Sequence, residues 1–413
     1  MDLLNDWISS INDVLWSYIL IIMLLGCAFW FTIRSRFVQF RMIGEMIRLL
    51  GDSPKKADGH EKHISSFQAF AVSLASRVGT GNVATAITVG GPGAIFWMWI
   101  IALIGSSSAF VESTLAQLYK RRGKDSFVGG PAYYMEKGLK ARWMGILFAI
   151  LISITFGFAF NSVQSNTICA AWDKAFGIDP VWMGIILTAV TLLIIFGGIH
   201  RIAKVSGVIV PVMALGYIIL ALGVVLFNLG KLPDVIRLIV SNAFGWEQAL
   251  GGGIGATLMQ GIKRGLFSNE AQTSLNGIQL TQEALTAEVG SAGSVFIALA
   301  ILLFAFSSII GNYYYGEANI HFITRRKPVL VAYRLLVAAM VLCGALMSLD
   351  LAWSLADIMM GLMTICNLIA ISILSRQAFL LLDNYMAQKR KGIKSPVYRK
   401  EDIPELDEEA ECW

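Results

Sequence analysis

Apolar residues along this chain gather into ten long runs, at about 14–32, 65–90, 94–118, 144–167, 181–198, 205–228, 244–262, 292–313, 329–347 and 351–374. An α-helix needs roughly 20 mostly apolar residues to cross a bilayer. Each run has that composition, with 244–262 the weakest. The basic connections 33–64 and 119–143 are too short for a soluble domain. The pattern predicts an all-α integral membrane protein with about ten transmembrane helices. Composition agrees: 15% of the 413 residues are charged, against about 25% in soluble domains.

Lysine and arginine in the loops set the orientation. Arg34, Arg36, Arg41, Arg48, Lys55, Lys56 and Lys62 crowd the first long connection, and Lys120, Arg121, Arg122, Lys124, Lys137, Lys140 and Arg142 the second. Both read as cytoplasmic, and the acidic N-terminus (Asp2, Asp6, Asp13) as external. That terminus lacks the positive region of a signal peptide, so the first run is kept as a span. Phe37, Phe40, Ile43, Met46, Ile47 and Leu50 recur at helical spacing among arginines, which predicts a short helix lying in the membrane surface. The expectation is a multi-pass plasma-membrane protein, of a bacterial inner membrane, with its C-terminus cytoplasmic. The polar tail 391–413 is acidic from Glu401 to Glu411 and predicts disorder.

The alternation of sides fails once. Run 244–262 ends at Lys263-Arg264, and run 292–313 is followed by Arg325-Arg326-Lys327, so both ends demand the cytoplasm. Residues 265–291 between them hold no lysine or arginine, carry Glu270, Glu283 and Glu288, and lack an apolar run able to cross. Either one crossing is missing, or 244–262 dips in and returns.

Candidate chemistry centres on Ser76-Arg77-Val78-Gly79-Thr80-Gly81-Asn82, inside a run that otherwise reads as a span. Irregular backbone at membrane depth is tolerated only where it is buried in protein or lines a wet cavity. A helix broken at Gly79-Thr80-Gly81 would offer free N–H groups at one half and free C=O groups at the other, a pair of ends suited to a carboxylate and a cation. The bland alternative is a glycine-lined packing face. Gly251-Gly252-Gly253-Ile254-Gly255 interrupts a second span in the same way, and two such segments in matching halves point to a transporter's binding site. Ser307-Ser308 place two hydroxyls mid-span. They could ligate a hard cation or bond back to a carbonyl one turn earlier. Asn161, Gln164 and Asn166, and Asp357, Thr364 and Asn367, are further intramembrane polar candidates. Glu112 reads as a cap or a partner of Lys120 or Arg121, and Trp97 and Trp99 as interfacial anchors. Five scattered cysteines and the lone pair His60 and His63 suggest neither a disulfide framework nor a metal site. No catalytic cluster emerges, so an enzyme is not expected.

Several of these motifs are long and familiar. Phe67-Gln68-Ala69, Arg77-Val78-Gly79-Thr80-Gly81-Asn82, Gly90-Gly91-Pro92-Gly93-Ala94-Ile95-Phe96-Trp97-Met98-Trp99, Gly129-Gly130-Pro131-Ala132-Tyr133-Tyr134, Gly265-Leu266-Phe267-Ser268-Asn269-Glu270-Ala271 and Phe306-Ser307-Ser308-Ile309-Ile310-Gly311-Asn312-Tyr313 resemble the alanine or glycine:cation symporter family, to about Arg390. The resemblance implies a five-plus-five inverted-repeat fold of the leucine-transporter type with an extra N-terminal span. The division would be 14–32 as the extra span, 65–228 as the first repeat and 244–374 as the second, in one domain to residue 390. It also implies that Gly79, Thr80 and Gly81 hold the substrate carboxylate, with Gln164 and Phe267 in the substrate pocket. Sodium would be held by carbonyls of Ala75 and Val78, the Asn82 side chain and the Ser307 and Ser308 hydroxyls. In the family the Ser-Asn-Glu-Ala motif usually continues Gly-Met-Gly-Ser into a further helix. Here Ala271-Gln272-Thr273-Ser274 runs straight into Leu275, so the seventh core helix is expected to be absent and the second repeat incomplete. That is where the charge count lost a crossing.

The expected function is sodium-coupled symport of a small neutral amino acid, alanine or glycine, by alternating access. Sodium is the coupling ion and no cofactor is expected. The glycine-rich floor argues for small side chains. The alternative is an internally truncated member that does not transport, a remnant or an amino-acid-binding sensor.

Overall fold

The computed structural model describes residues 14–51, 92–123, 127–244, 291–347, 349–406 and 411–412. Every expected run that falls on them is helical. Run 65–90, all of run 244–262 but Phe244, and with them Ala75, Val78, Gly79, Thr80, Gly81, Asn82 and Phe267, lie outside the described residues.

A π-helical stretch, Leu15–Leu20, leads into α1 (Ile21–Arg34). Two short helices follow, α2 (Val38–Arg41) and α3 (Ile43–Leu50), and then α4 (Gly93–Leu118). The basic connection after α4 is not wholly helical. Strands β1 (Arg121–Arg122) and β2 (Phe127–Val128) pair antiparallel with Arg121 opposite Val128, ahead of α5 (Pro131–Lys137). α6 (Arg142–Ile154) passes through a π-helical turn, Thr155–Phe160, into α7 (Asn161–Phe176). Then come α8 (Pro180–Ile195), α9 (Gly198–Phe227), α10 (Leu232–Phe244), α11 (Ser291–Ile323), α12 (Lys327–Leu346) and α13 (Leu349–Arg390).

Helix ends follow local chemistry. Gly177 at φ 65° closes α7 in the left-handed conformation that a glycine adopts without strain. Asp179 accepts the Val181 N–H at 2.8 Å and Pro180 opens α8, so neither an orphan donor nor a blocked one is wasted there. Among the described residues five helices are long and apolar enough to cross a membrane: Gly93–Leu118, Arg142–Phe176, Gly293–Ile323, Lys327–Leu346 and Ala356–Arg390. Val208, Val212, Leu215, Ile219 and Leu222 of α9 are exposed, as a lipid-facing helix requires.

Two packed clusters make the interior. One joins α1, α4, α5, α6 and α13, and the other joins α7, α8, α11 and α12. Small residues let the second close tightly. A Cβ on Gly344 of α12 would stand 2.3 Å from the Ser162 Cα of α7. Across the same seam Ser162 Oγ donates to the Met340 carbonyl at 3.0 Å, and Asn166 Nδ2 donates to the Gly344 and Met347 carbonyls, both at 2.9 Å. Close backbone approach with polar crossties is how helices associate where lipid supplies no hydrophobic drive.

The two short helices fall where a surface element is expected; Phe37, Phe40, Ile43, Met46 and Ile47 are exposed, and Leu50 is half-buried. Glu45 ties α3 to the end of α13. Its carboxylate accepts from Arg48 Nη2 (2.8 Å) and Tyr385 Oη (2.6 Å), with Lys389 Nζ at 3.0 Å. The Arg48 hydrogen bond, then those from Tyr385 and Lys389, hold this carboxyl well below its ordinary value of 4.5. A depressed carboxylate contributes above its ordinary pKa and loses that contribution as pH falls through the folded value. A spin label on Gly44→Cys, where a Cβ meets open space, should therefore stay immobile from neutral pH to about 4.5 and loosen only in stronger acid. With Glu45→Gln it should be mobile at neutral pH.

Two expectations are corrected. The acidic tail is ordered where it is described. Turns at Lys400–Asp402 and Pro404–Leu406 set Ile403 and Leu406 into the first cluster. Arg376 Nη2 donates to Glu405 at 3.0 Å, and Lys137 pairs with Glu411. Acidic composition concealed two apolar residues three apart and a basic surface for the carboxylates to meet. Trp97 is a helix contact: its Nε1 donates to the Ala243 carbonyl at 3.3 Å and its ring packs on Phe244. Trp99 stays exposed.

Candidate functional site

α7 carries an almost unbroken polar sequence, Asn161-Ser162-Val163-Gln164-Ser165-Asn166-Thr167, in a segment long and apolar enough overall to span. All but Asn166 are buried. A helix this polar is stable there only if its side chains find partners, and most do. Ser162 and Thr167 donate to carbonyls one turn back, at 2.9 and 2.8 Å. Asn161 donates to the Gly157 carbonyl at 3.1 Å, but its own Oδ1 is buried without a partner. A lone carbonyl oxygen of that kind suits a cation or a bound donor.

α7 and α11 run antiparallel. Trp172 Nε1 donates to the Ala298 carbonyl at 3.2 Å, and Ser153 Oγ lies 3.4 Å from the Gly316 carbonyl. Between these ties, Gln164 lies eight residues before Trp172, and Phe306 lies eight after Ala298. Gln164 and the pair Ser307-Ser308 thus stand at one level of one helix pair. All three are buried. Both hydroxyls donate to the Phe304 carbonyl, Ser307 at 2.8 Å and Ser308 at 3.0 Å. The back-bonding reading therefore describes their protons, while the lone pairs of the hydroxyl oxygens keep their capacity to ligate. Of the expected site residues these three are described. Gly79, Thr80, Gly81, Asn82, Ala75, Val78 and Phe267 lie outside the described residues.

The π-helical turn just before α7 is a feature the sequence did not announce. Such turns often mark functional positions inside helices. Here the backbone at Gly157 approaches Tyr333 of α12 so closely that a Cβ would meet the phenol oxygen, and Gly316 of α11 does the same. The Tyr333 ring is wedged among three helices, with its hydroxyl 3.5 Å from the Ser153 carbonyl. The readable signal was glycine alone among aromatics, Phe156-Gly157-Phe158-Ala159-Phe160.

A cavity of about 360 Å³ lies between α4, α6, α11 and α13 and is bordered by Gly129, Gly130 and Pro131 of the basic connection. Its polar lining includes Ser108, Glu112, Tyr315, Asn319, Thr364 and Asn367. Asn367 Nδ2 donates to Glu112 Oε2 at 3.1 Å, and the Tyr134 hydroxyl donates to Asn367 Oδ1. Glu112 is thus a cavity residue rather than a cap, and Thr364 and Asn367 share its wall. Tyr314 and Tyr315 bring α11 into the same lining. Ser307 and Ser308 lie two turns deeper, about 10 Å along the axis. Gln164, Ser307 and Ser308 are not part of the cavity lining.

Comparison with known proteins bears on what this arrangement serves. The sequence model of the sodium:alanine symporter family matches residues 1–274 and, as a second segment, 271–400. The chain is 47% identical to the probable sodium/glutamine symporter GlnT of Bacillus subtilis over 464 aligned positions, covering 100% of this chain and 96% of the relative. It is 45% identical to the amino-acid carrier protein AlsT of the same organism, covering 99% and 97%. Identity to the sodium/alanine symporter AgcS of Methanococcus maripaludis is 31%, covering 89% and 94%.

Proposed function

The chain belongs to the sodium:alanine symporter family, and on that premise we propose that it carries a small neutral amino acid, alanine or glycine, into the cell with sodium. It is a transporter and not an enzyme, and sodium-coupled amino-acid symport is the family's activity. The finer reading is alternating access in a five-plus-five inverted-repeat fold, with substrate and sodium held at the breaks of 65–90 and 244–262. The observation that carries it is the placement of Gln164 and Ser307-Ser308 at one level of the α7–α11 pair, about two turns along α11 from a cavity whose wall includes Glu112, Thr364 and Asn367. In this reading Gly79, Thr80 and Gly81 amides take the carboxylate, and Gln164 and Phe267 shape the pocket. Ala75 and Val78 carbonyls, the Asn82 side chain and the Ser307 and Ser308 hydroxyls take sodium. One sodium ion descending 100 mV contributes about 2.3 kcal/mol. A tenfold concentration gradient adds roughly 1.4 kcal/mol, so the two could sustain a substrate gradient of several hundredfold.

We also infer that an internal segment of the family is absent between Ser274 and Leu275. Supporting this, the family match falls into two segments that overlap at 271–274, and the alignment with GlnT has 464 positions against 413 residues. The surplus exceeds the roughly 20 residues of one span.

Sodium titration of uptake tests the serine assignment. Removing one hydroxyl ligand with Ser308→Ala should raise the half-saturating sodium concentration roughly tenfold, in line with about 1.5 kcal/mol for a bond to a charged group. Ser307→Ala should act likewise, and saturating amino acid should not restore either. Unchanged sodium dependence in both variants would remove the serines from the site.

A further inference from the structure

A second cavity, about 220 Å³, lies beside the first on the same side of the protein. Arg121 of β1, Arg142 at the start of α6, and His321 and Arg325 at the end of α11 line it with Tyr133 and Glu136. Three guanidinium groups face one carboxylate. Glu136 accepts from Arg142 Nη1 at 2.6 Å and has Arg121 Nη2 at 2.9 Å, which offsets one positive charge. Arg325 forms no ion pair with any described residue, and Arg121 Nε is buried with no acceptor. The Arg121 guanidinium is paired through Nη2, but a buried N–H without an acceptor is costly, so the native environment is expected to supply one for Nε. The guanidiniums are also held in place by rings: Arg121 stacks 5.7 Å from the Tyr133 centroid and Arg142 lies 6.0 Å from that of Phe322.

Arg142 opens one apolar helix, and Arg325 follows the last residue of another by two positions. The cavity therefore lies where the spans meet the headgroup layer. Exposed Trp143 beside Arg142 fits that level. Planar guanidinium forks match phosphate oxygens, and basic pockets between spanning helices take anionic headgroups.

We propose that Arg121, Arg142, Arg325 and His321 form a binding site for a phosphate ester, the headgroup of an anionic phospholipid. Tyr133 lines both cavities, so the bound phosphate is one side chain from the larger one.

The test uses the full chain and two arms. In the first, native mass spectrometry counts phosphatidylglycerol and phosphatidylcholine retained from equimolar mixed micelles. In the second, equilibrium dialysis measures labelled inorganic phosphate on protein in phosphatidylcholine-only nanodiscs. Wild type and an Arg237→Gln control should retain phosphatidylglycerol preferentially, and Arg325→Gln should lose roughly fivefold of that preference. Arg121→Gln should do the same. Saturable phosphate binding without lipid preference would support the site with soluble phosphate as its ligand. Equal retention of both lipids with no saturable phosphate binding would overturn it. So would a preference surviving in Arg325→Gln, whose fold is protected because it breaks no ion pair among the described residues.

Discussion

Glu317→Gln is expected to destabilise the protein by about 3–5 kcal/mol, the usual result of removing one partner of a buried ion pair. Glu317 of α11 accepts from Arg334 Nη2 of α12 at 2.7 Å, and Arg334 Nε donates to the Tyr313 hydroxyl at 2.9 Å. The side chains are 7% and 14% exposed. The guanidinium also lies over the Phe196 ring of the segment joining α8 to α9, 5.6 Å from its centroid. A neutral amide in place of the carboxylate leaves that cation in an interior with little water to solvate it. The double change Glu317→Leu with Arg334→Met removes both charges and should recover most of the loss, because the destabilisation comes from the stranded charge. Breaking the exposed pair of Arg376 and Glu405, whose side chains are 76% and 61% exposed, should cost no more than about 1 kcal/mol. Thermal unfolding of the purified variants, followed by fluorescence-detected size exclusion, reads all three. Equal melting temperatures for Glu317→Gln and Arg376→Gln would show that the buried pair is not needed.

Gly344→Ala should be nearly as damaging. Overpacking a filled interior costs about 1–3 kcal/mol, and more where the obstruction cannot move aside. Here it is backbone: the new Cβ would stand 2.3 Å from Ser162 Cα and 2.4 Å from Ser162 O. α12 must then retreat from α7, which stretches the Ser162 and Asn166 crossties along the same seam. Gly26→Ala is the contrast. Gly26 is exposed on α1 and a Cβ there meets nothing within 4 Å, so helix propensity alone predicts no loss and a gain of up to about 1 kcal/mol. A lower melting temperature for both would mean that glycine itself, rather than the close approach, is what the helices need.

Much of this architecture was legible as a pattern. The apolar runs on the described residues are all helices because hydrocarbon allows an isolated span no other way to satisfy its backbone. Run 144–167 extends to Phe176 because the polar residues that seemed to end it face inward, with Asn166 and Trp172 donating to α12 and α11. Hydropathy cannot distinguish a polar residue that leaves the membrane from one that turns toward a neighbouring helix. The same limit hid the role of Glu112, whose partner Asn367 is 255 residues away. It also hid the fold of the tail, which depends on Ile403 and Leu406 finding a surface built from distant helices. Of the candidate site, the level shared by Gln164 and Ser307-Ser308 needed the register of α7 against α11, which no local spacing contains. The absence inferred near Ser274 rests on two sequence readings, the charge alternation and the motif that breaks off there, and both depend only on order along the chain.

The central claim is that sodium drives amino-acid movement through this chain despite the segment inferred to be absent at Ser274. Reconstituted into liposomes with an inward sodium gradient, the protein should accumulate labelled alanine or glycine. Dissipating the gradient should abolish accumulation, and Asn82→Ala should collapse it. Glutamine belongs in the same experiment, since a relative bears that name, and accumulation of glutamine alone would correct the substrate while keeping the mechanism. Correctly inserted protein that accumulates none of the three under a sodium gradient would contradict the account and leave a member of the family that binds without transporting.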